Sequence, residues 1–177
     1  MPCRQEPSLW ILRFLSLARP GGSALDVASG SGRHSQLLLR NGMNVTAIDR
    51  DPDRQPDAPG LTKIAADLET DAGWPLTGRR FDLVVVTNYL HRPILADVVS
   101  AVAPGGLLLY ETFAMGNERF GKPSNPDFLL RPGELKAAAL AGGLEVIAFE
   151  EVELGAPRPA VVQRIAARSQ AGGGRRA

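Results

Sequence analysis

The feature that most restricts the fold is a short apolar run, Ala24–Val27, that opens directly into Ala28-Ser29-Gly30-Ser31-Gly32 and then into the helix-compatible stretch Arg33–Arg40. A strand that turns through glycines straight into a helix is the first half of a parallel crossover unit. The pattern repeats. Asn44–Ile48 is a second apolar run, closing on Asp49, and Thr62–Ala66 a weaker third, closing on Asp67. Phe81–Thr87 (FDLVVVT) carries the continuous β-branched run expected of a strand buried on both faces. The three prolines of 51–60 restrict that crossover to a loop or a very short helix.

Helices are expected over 7–18, Ile94–Val102 and 132–141, with Pro104-Gly105-Gly106 turning the chain into a strand at Leu107–Glu111. Leu144–Leu154 and Ala160–Arg168 read as an antiparallel hairpin across Gly155–Pro159. The expected fold is therefore α/β: a doubly wound, mostly parallel seven-stranded sheet with a C-terminal antiparallel hairpin. One domain spans 1–168, and 169–177, with three glycines, is expected to be a disordered tail. The polar segment Thr112–Asn125 has no periodicity over fourteen residues and is expected to close over a substrate.

Composition removes other classes. With 177 residues the chain is too short for an eight-fold barrel, and 20 basic against 19 acidic residues give no broad attraction to nucleic acid or membrane. A single cysteine, Cys3, allows no internal disulfide, and two histidines, His34 and His91, provide no metal cluster. Arg13 interrupts the apolar stretch Leu9 to Ala18, which reads as a helix of a cytoplasmic protein rather than a signal segment.

In an open doubly wound sheet, ligands bind beyond the carboxyl ends of the strands. Asp26 and the glycine loop follow the first strand, Asp49 the second and Asp67 the third. Glycines let the backbone approach a ligand. Asp49, 17 residues past Gly32, suits the two hydroxyls of a ribose. A carboxylate at Asp67 suits an adenine amino group. A nicotinamide dinucleotide is disfavoured because Ser35 stands where G-x-G-x-x-G needs its third glycine.

Leu25-Asp26-Val27-Ala28-Ser29-Gly30-Ser31-Gly32 resembles the D/E-x-G-x-G-x-G loop of class I S-adenosylmethionine-dependent methyltransferases. Ala47-Ile48-Asp49, Ala66-Asp67-Leu68, Phe81–Val86 and Pro104-Gly105-Gly106-Leu107 match that family in order, over about residues 24–168. Arg33-His34 after Gly32 is most similar to small bacterial enzymes of the tellurite-resistance and thiopurine-methyltransferase type. The resemblance implies a Rossmann-like fold and S-adenosylmethionine as cofactor. Asp26, Ala28, Ser29, Gly30 and Gly32 would hold its methionine end, Asp49 with Arg50 the ribose side, Asp67 and Leu68 the adenine, and Asn88 and Tyr89 the methyl-transfer mouth. Ala28 replaces the family's first glycine and is expected to have a negative φ.

His91, Glu111 and Tyr89 are the candidates for a general base. Simpler roles remain open: Asp26 as a loop cap, Asp49-Arg50-Asp51-Pro52 as a turn, Asp67 as a helix start, His91 as a packing residue and Glu111 as a cap. The short chain favours a small-molecule acceptor. An RNA or protein acceptor is the alternative, since arginine supplies 17 of the 20 basic residues. Clustering of Arg33, Arg92, Arg119 and Arg131 at the mouth would favour it. A non-catalytic cofactor-binding partner subunit and, last, an NAD-dependent oxidoreductase complete the readings.

Overall fold

The computed structural model describes residues 6–172. Cys3 and the 173–177 part of the tail fall outside the described residues. Seven strands form one sheet: β1 (Ser23–Val27), β2 (Asn44–Asp49), β3 (Leu61–Ala65), β4 (Phe81–Thr87), β5 (Val102–Phe113), β6 (Leu144–Leu154) and β7 (Ala160–Ser169). Their order is β3-β2-β1-β4-β5-β7-β6. The first five run parallel, and β7 pairs antiparallel with both β5 and β6. This is the expected doubly wound sheet with its C-terminal hairpin.

Four α-helices cover the sheet: α1 (Leu9–Phe14), α2 (Arg33–Arg40), α3 (Leu95–Ser100) and α4 (Glu134–Ala141). Alternation along β4 explains the two layers. Leu83 and Val85 pack with Trp10, Ile11 and Phe14 of α1 and Leu37 and Leu38 of α2. Val84 and Val86 pack on the other face with Val98 and Val99 of α3 and Leu135 and Ala139 of α4. Burial on both faces is why β4 reads as an unbroken apolar run. Among the described residues no helix is long and apolar enough to cross a membrane.

Several boundaries differ from expectation. Ser8 caps α1, its hydroxyl accepting from the amides of Trp10 and Ile11, and a 3₁₀ turn at Leu15–Leu17 follows the helix. The helix expected over Ile94–Val102 is a 3₁₀ turn, Arg92–Ile94, followed by α3, and Val102 already belongs to β5. Pro104-Gly105-Gly106 lies inside β5 as an irregularity rather than before it, with Val102 opposite Phe81 and Leu107 opposite Leu83. Gly106 permits this close pairing. A Cβ there would sit 2.8 Å from the Ala103 carbonyl and 3.0 Å from that of Phe81. The tail also begins later than expected, because Ser169 pairs with Leu144.

The 112–125 segment is not a free loop throughout. Thr112 and Phe113 belong to β5 and pair with Gln163 and Val162. Beyond them, the Ala114 amide donates to the Val161 carbonyl and the Met115 amide to that of Leu130. Asn117, only 2% exposed, donates through Nδ2 to the Pro123 carbonyl and accepts the Val161 amide on Oδ1. Arg92 holds the far end, reaching Glu134 and the carbonyls of Asp127 and Leu129. Replacing Asn117 with Ala leaves the partly buried Val161 amide without its acceptor. Asn117→Ala is therefore expected to cost about 1–3 kcal/mol, read from urea unfolding.

Candidate functional site

A cleft of roughly 360 Å³ opens at the carboxyl ends of the parallel strands. Its walls include Ala28 and Gly30 after β1, Asp49 and Arg50 at the end of β2, Asp67 and Leu68 after β3, and Asn88 and Tyr89 after β4. Eight residues expected to hold a cofactor thus meet in one place. Asp26, Ser29 and Gly32, also expected to hold the cofactor, do not line it. The cleft also takes in Ala66 of the Ala66-Asp67-Leu68 motif, together with Arg54 and Glu69, which were not among the expected site residues.

The glycine loop is shaped from beneath. Asp26 is 2% exposed, and its carboxylate accepts the Ser35 hydroxyl at 2.6 Å. Burial pushes its carboxyl up to about 6, although the bonds from Ser35 and the charge of Arg33 pull the other way. Asp49 fastens the loop from the next strand, accepting the Gly30 amide at 2.8 Å and the Asp51 amide at 3.0 Å. A carboxylate has about four lone-pair positions, so these two bonds leave acceptor capacity toward the cleft. Gly32 adopts φ +79°, and a Cβ there would overlap the buried side chain of Gln55. Gln55 follows the short 3₁₀ turn Pro52–Arg54 in the crossover from β2 to β3.

Ala28 departs from expectation. Its φ is +52°, in the left-handed region, and Asn88 across the cleft has φ +54°. The loop demands the glycine conformation even though alanine occupies the position. Such a residue stores on the order of 1 kcal/mol of strain.

The three base candidates have different surroundings. Tyr89 lines the cleft, yet its hydroxyl is buried without a partner, and burial, followed by the charges of Glu69 and Asp67, raises the phenol further above its ordinary value. Such a phenol stays protonated at neutral pH. Glu111, opposite Thr87 in the sheet, accepts the Ser8 hydroxyl at 2.8 Å and pairs with Arg164 at 3.4 Å. It is a structural tie here. His91 is half-buried ahead of the Arg92–Ile94 turn, where its carbonyl accepts the Ile94 amide. Neither His91 nor Glu111 lines the cleft.

Arg33, Arg92, Arg119 and Arg131 do not line the cleft, although Arg92 and Arg131 both act on Glu134. Arg92 is bound to Glu134, Arg119 pairs with Glu153, and Arg33 reaches the Glu6 carbonyl and Thr87. Sequence reasoning passed over His34. It is 3% exposed, its Nε2 accepts the Ser8 amide at 3.0 Å, and its Nδ1 lies 3.2 Å from Thr87 Oγ1. Burial, helped by the charge of Arg33, lowers its pKa to about 3. Among the described residues no group of three acidic, histidine or cysteine side chains can hold a metal.

A doubly wound sheet with a glycine loop and acidic strand ends defines a nucleoside-binding α/β protein. A family model described as a methyltransferase domain matches residues 3–132. The chain belongs to the methyltransferase-domain family, and its fold is that of the class I enzymes whose methyl donor is S-adenosylmethionine. Among solved structures it is similar to TehB from Haemophilus influenzae, at 20% identity and TM-score 0.68, covering 90% of this chain and 61% of that one. A TehB-like methyltransferase from Corynebacterium glutamicum is 21% identical with TM-score 0.64, covering 94% and 90%. A Haloferax volcanii chain described as a methyltransferase, in complex with the activator Trm112, is 14% identical with TM-score 0.67, covering 91% and 90%. Comparison with curated proteins finds no match.

Two predictions follow from the buried loop. Ala28→Gly relieves the left-handed strain and is expected to raise stability by up to about 1 kcal/mol in thermal unfolding. Asp26 and His34 give opposite pH dependences. With its carboxyl raised from 3.8 to about 6, Asp26 makes the folded chain bind more protons, so its contribution falls as pH rises from 4 to 6. With its imidazole lowered from 6.5 to about 3, His34 makes the unfolded chain bind more, so its contribution is complete above pH 6.5 and lost below it. In unfolding titrations, Asp26→Asn should leave only the rising limb below pH 6.5, and His34→Gln only the fall between pH 4 and 6.

Proposed function

We propose that this chain transfers the methyl group of S-adenosylmethionine to a small-molecule acceptor by in-line displacement. The observation that carries this reading is the single cleft joining the glycine loop, Asp49 and Asp67 at the ends of three adjacent strands. The residues fit the cofactor. Asp49 has spare acceptor capacity for ribose hydroxyls, Asp67 stands exposed for the adenine amino group beside the buried Leu68, and Gly30 has no side chain to obstruct approach. Arg50 and Tyr89 supply planar groups to the walls around the base. Asp26 and the Ala28–Gly32 backbone lie toward the methionine end.

When bound, the cofactor supplies an already electrophilic methyl group on a sulfonium. The protein's share is then alignment of the acceptor and exclusion of water. Asn88, held in its left-handed conformation with its amide on the Glu111 carbonyl, sets the edge of the mouth. The segment 115–124 forms the acceptor-side wall, anchored by Asn117. Where the acceptor must lose a proton, His91 is the candidate left by the environments of Tyr89 and Glu111. The engagement of Arg33, Arg92 and Arg119 within the chain supports a small acceptor over a phosphate-rich one.

Calorimetry tests the reading. S-adenosylhomocysteine should bind and NAD should not, and Asp49→Asn and Asp67→Asn should each weaken S-adenosylhomocysteine binding by about tenfold, near 1.4 kcal/mol. Tight NAD binding with no response to S-adenosylhomocysteine overturns it.

A further inference from the structure

A second depression, of roughly 390 Å³, lies at the opposite end of the sheet from the cofactor cleft. It is bounded by Ser23 at the start of β1, Asn44 and Thr46 near the start of β2, Thr62 of β3 and the pair Arg79-Arg80 just before β4. These strands run parallel, so their amino ends form this recess and their carboxyl ends form the cleft. At about 3.3 Å per residue, the length of β1 puts roughly 15 Å of sheet between the two openings. A space of this size falls in the range of small-molecule sites.

No acidic side chain borders this recess. Among the described residues neither Arg79 nor Arg80 comes within ion-pair distance of a carboxylate. Asp82, the neighbouring acid in the chain, is already engaged: it accepts the Ser23 amide at 2.8 Å and the Ser23 hydroxyl at 3.0 Å, and it faces Arg19 at 3.7 Å. Two positive charges therefore share one recess without a counter-charge, which raises the local potential for an anion. Both side chains also have defined places. The Arg79 guanidinium lies 5.2 Å from the ring centroid of the buried Phe81, and its Nη2 reaches the hydroxyl of the buried Thr46 at 3.5 Å. Arg80 Nη1 reaches the Val102 carbonyl at 3.4 Å. A guanidinium has five N–H donors, so most of them stay available on each arginine. The side chains of Asn44 and Thr62 are exposed beside them and have no hydrogen-bond partner among the described residues.

We propose that this recess binds the phosphate group of a small metabolite, with Arg79 and Arg80 as the two charged ligands and Asn44 and Thr62 meeting the rest of the molecule. A phosphate monoester carries a charge of about −1.5 to −2 at neutral pH, which two guanidinium groups match. Their forked donors suit its oxygens in paired, charge-assisted bonds. A single carboxylate leaves one of the two arginine charges uncompensated. A bounded recess in a chain with 20 basic and 19 acidic residues suits a small molecule better than a nucleic-acid backbone, which is tracked by an extended basic surface. The site shares no lining residue with the cofactor cleft and stands independently of the methyltransferase reading.

Calorimetry on the full chain compares ribose 5-phosphate with ribose. The wild-type protein should bind the phosphate ester saturably and give no binding heat with ribose. Arg79→Gln and Arg80→Gln should each weaken ribose 5-phosphate binding by about tenfold or more. Arg79→Lys keeps the charge and loses the fork, so its loss should be smaller. Thr62→Glu, at an exposed position, brings a carboxylate to the same recess and should abolish binding. The urea midpoints of these variants should stay at the wild-type value, which separates loss of the site from loss of the fold. Absence of saturable ribose 5-phosphate binding at millimolar concentration, equal binding of ribose, or binding that survives the double variant Arg79→Gln/Arg80→Gln overturns the proposal. A mixed-sequence single-stranded RNA that binds more tightly than ribose 5-phosphate and is lost in the same variants also overturns it, because the arginines then belong to a nucleic-acid contact.

Discussion

The buried contact between Asp26 and Ser35 governs much of the molecule. It joins the end of the central strand β1 to the first turn of α2 by a 2.6 Å bond sealed from water. A carboxylate taken out of water needs its hydrogen bonds, and here the helix supplies them. Once strand and helix are locked in this way, the five residues between them have little conformational choice. Ala28, Gly30 and Gly32 all take positive φ, and the Gly30 amide is aimed at Asp49 on β2. The cleft is the space that this closure leaves open.

A second set of ties works at the same end of the sheet. Ser8 caps α1, donates its hydroxyl to Glu111 on β5 and gives its amide to His34 on α2. His34 in turn meets Thr87 on β4. Four elements distant in sequence are thus held by one chain of hydrogen bonds in a region of low dielectric, where each bond is stronger and each missing partner more costly. Glu111 belongs to this frame, which explains why a carboxylate at the end of a central strand stands outside the cleft wall. The raised carboxyl of Asp26 marks what such a frame costs, a carboxylate held away from water at the end of β1.

Much of the fold was legible because its signals are local. The β-branched run of Phe81–Thr87, the glycines after Ala24–Val27 and the hairpin at 144–168 all match the observed elements. The errors have causes that lie outside the local sequence. Pro104-Gly105-Gly106 reads as a turn, but pairing with β4 draws it into β5 because Gly106 can lie against the Phe81 carbonyl. Ala28 should avoid the left-handed region on its own preference, and the loop closure overrides that preference. The polar run at 112–125 reads as a non-periodic segment because its anchors, Val161, Leu130 and Arg92, are distant in sequence.

The sequence by itself determined the architecture and the class of ligand. Periodicity, glycine placement and acidic residues at strand ends are properties of neighbouring residues, so they can be read from the chain in order. Only the tertiary structure decided which polar side chains line the cleft and which hold the frame. Glu111, His34, Arg92 and Asn117 acquire their roles from partners 26 to 103 residues away or from carbonyls of loops that the sequence leaves undefined. A side chain's proton affinity and hydrogen-bond direction depend on how far it is removed from water and on what is placed against it. Both are settled when the sheet and its helices close around it.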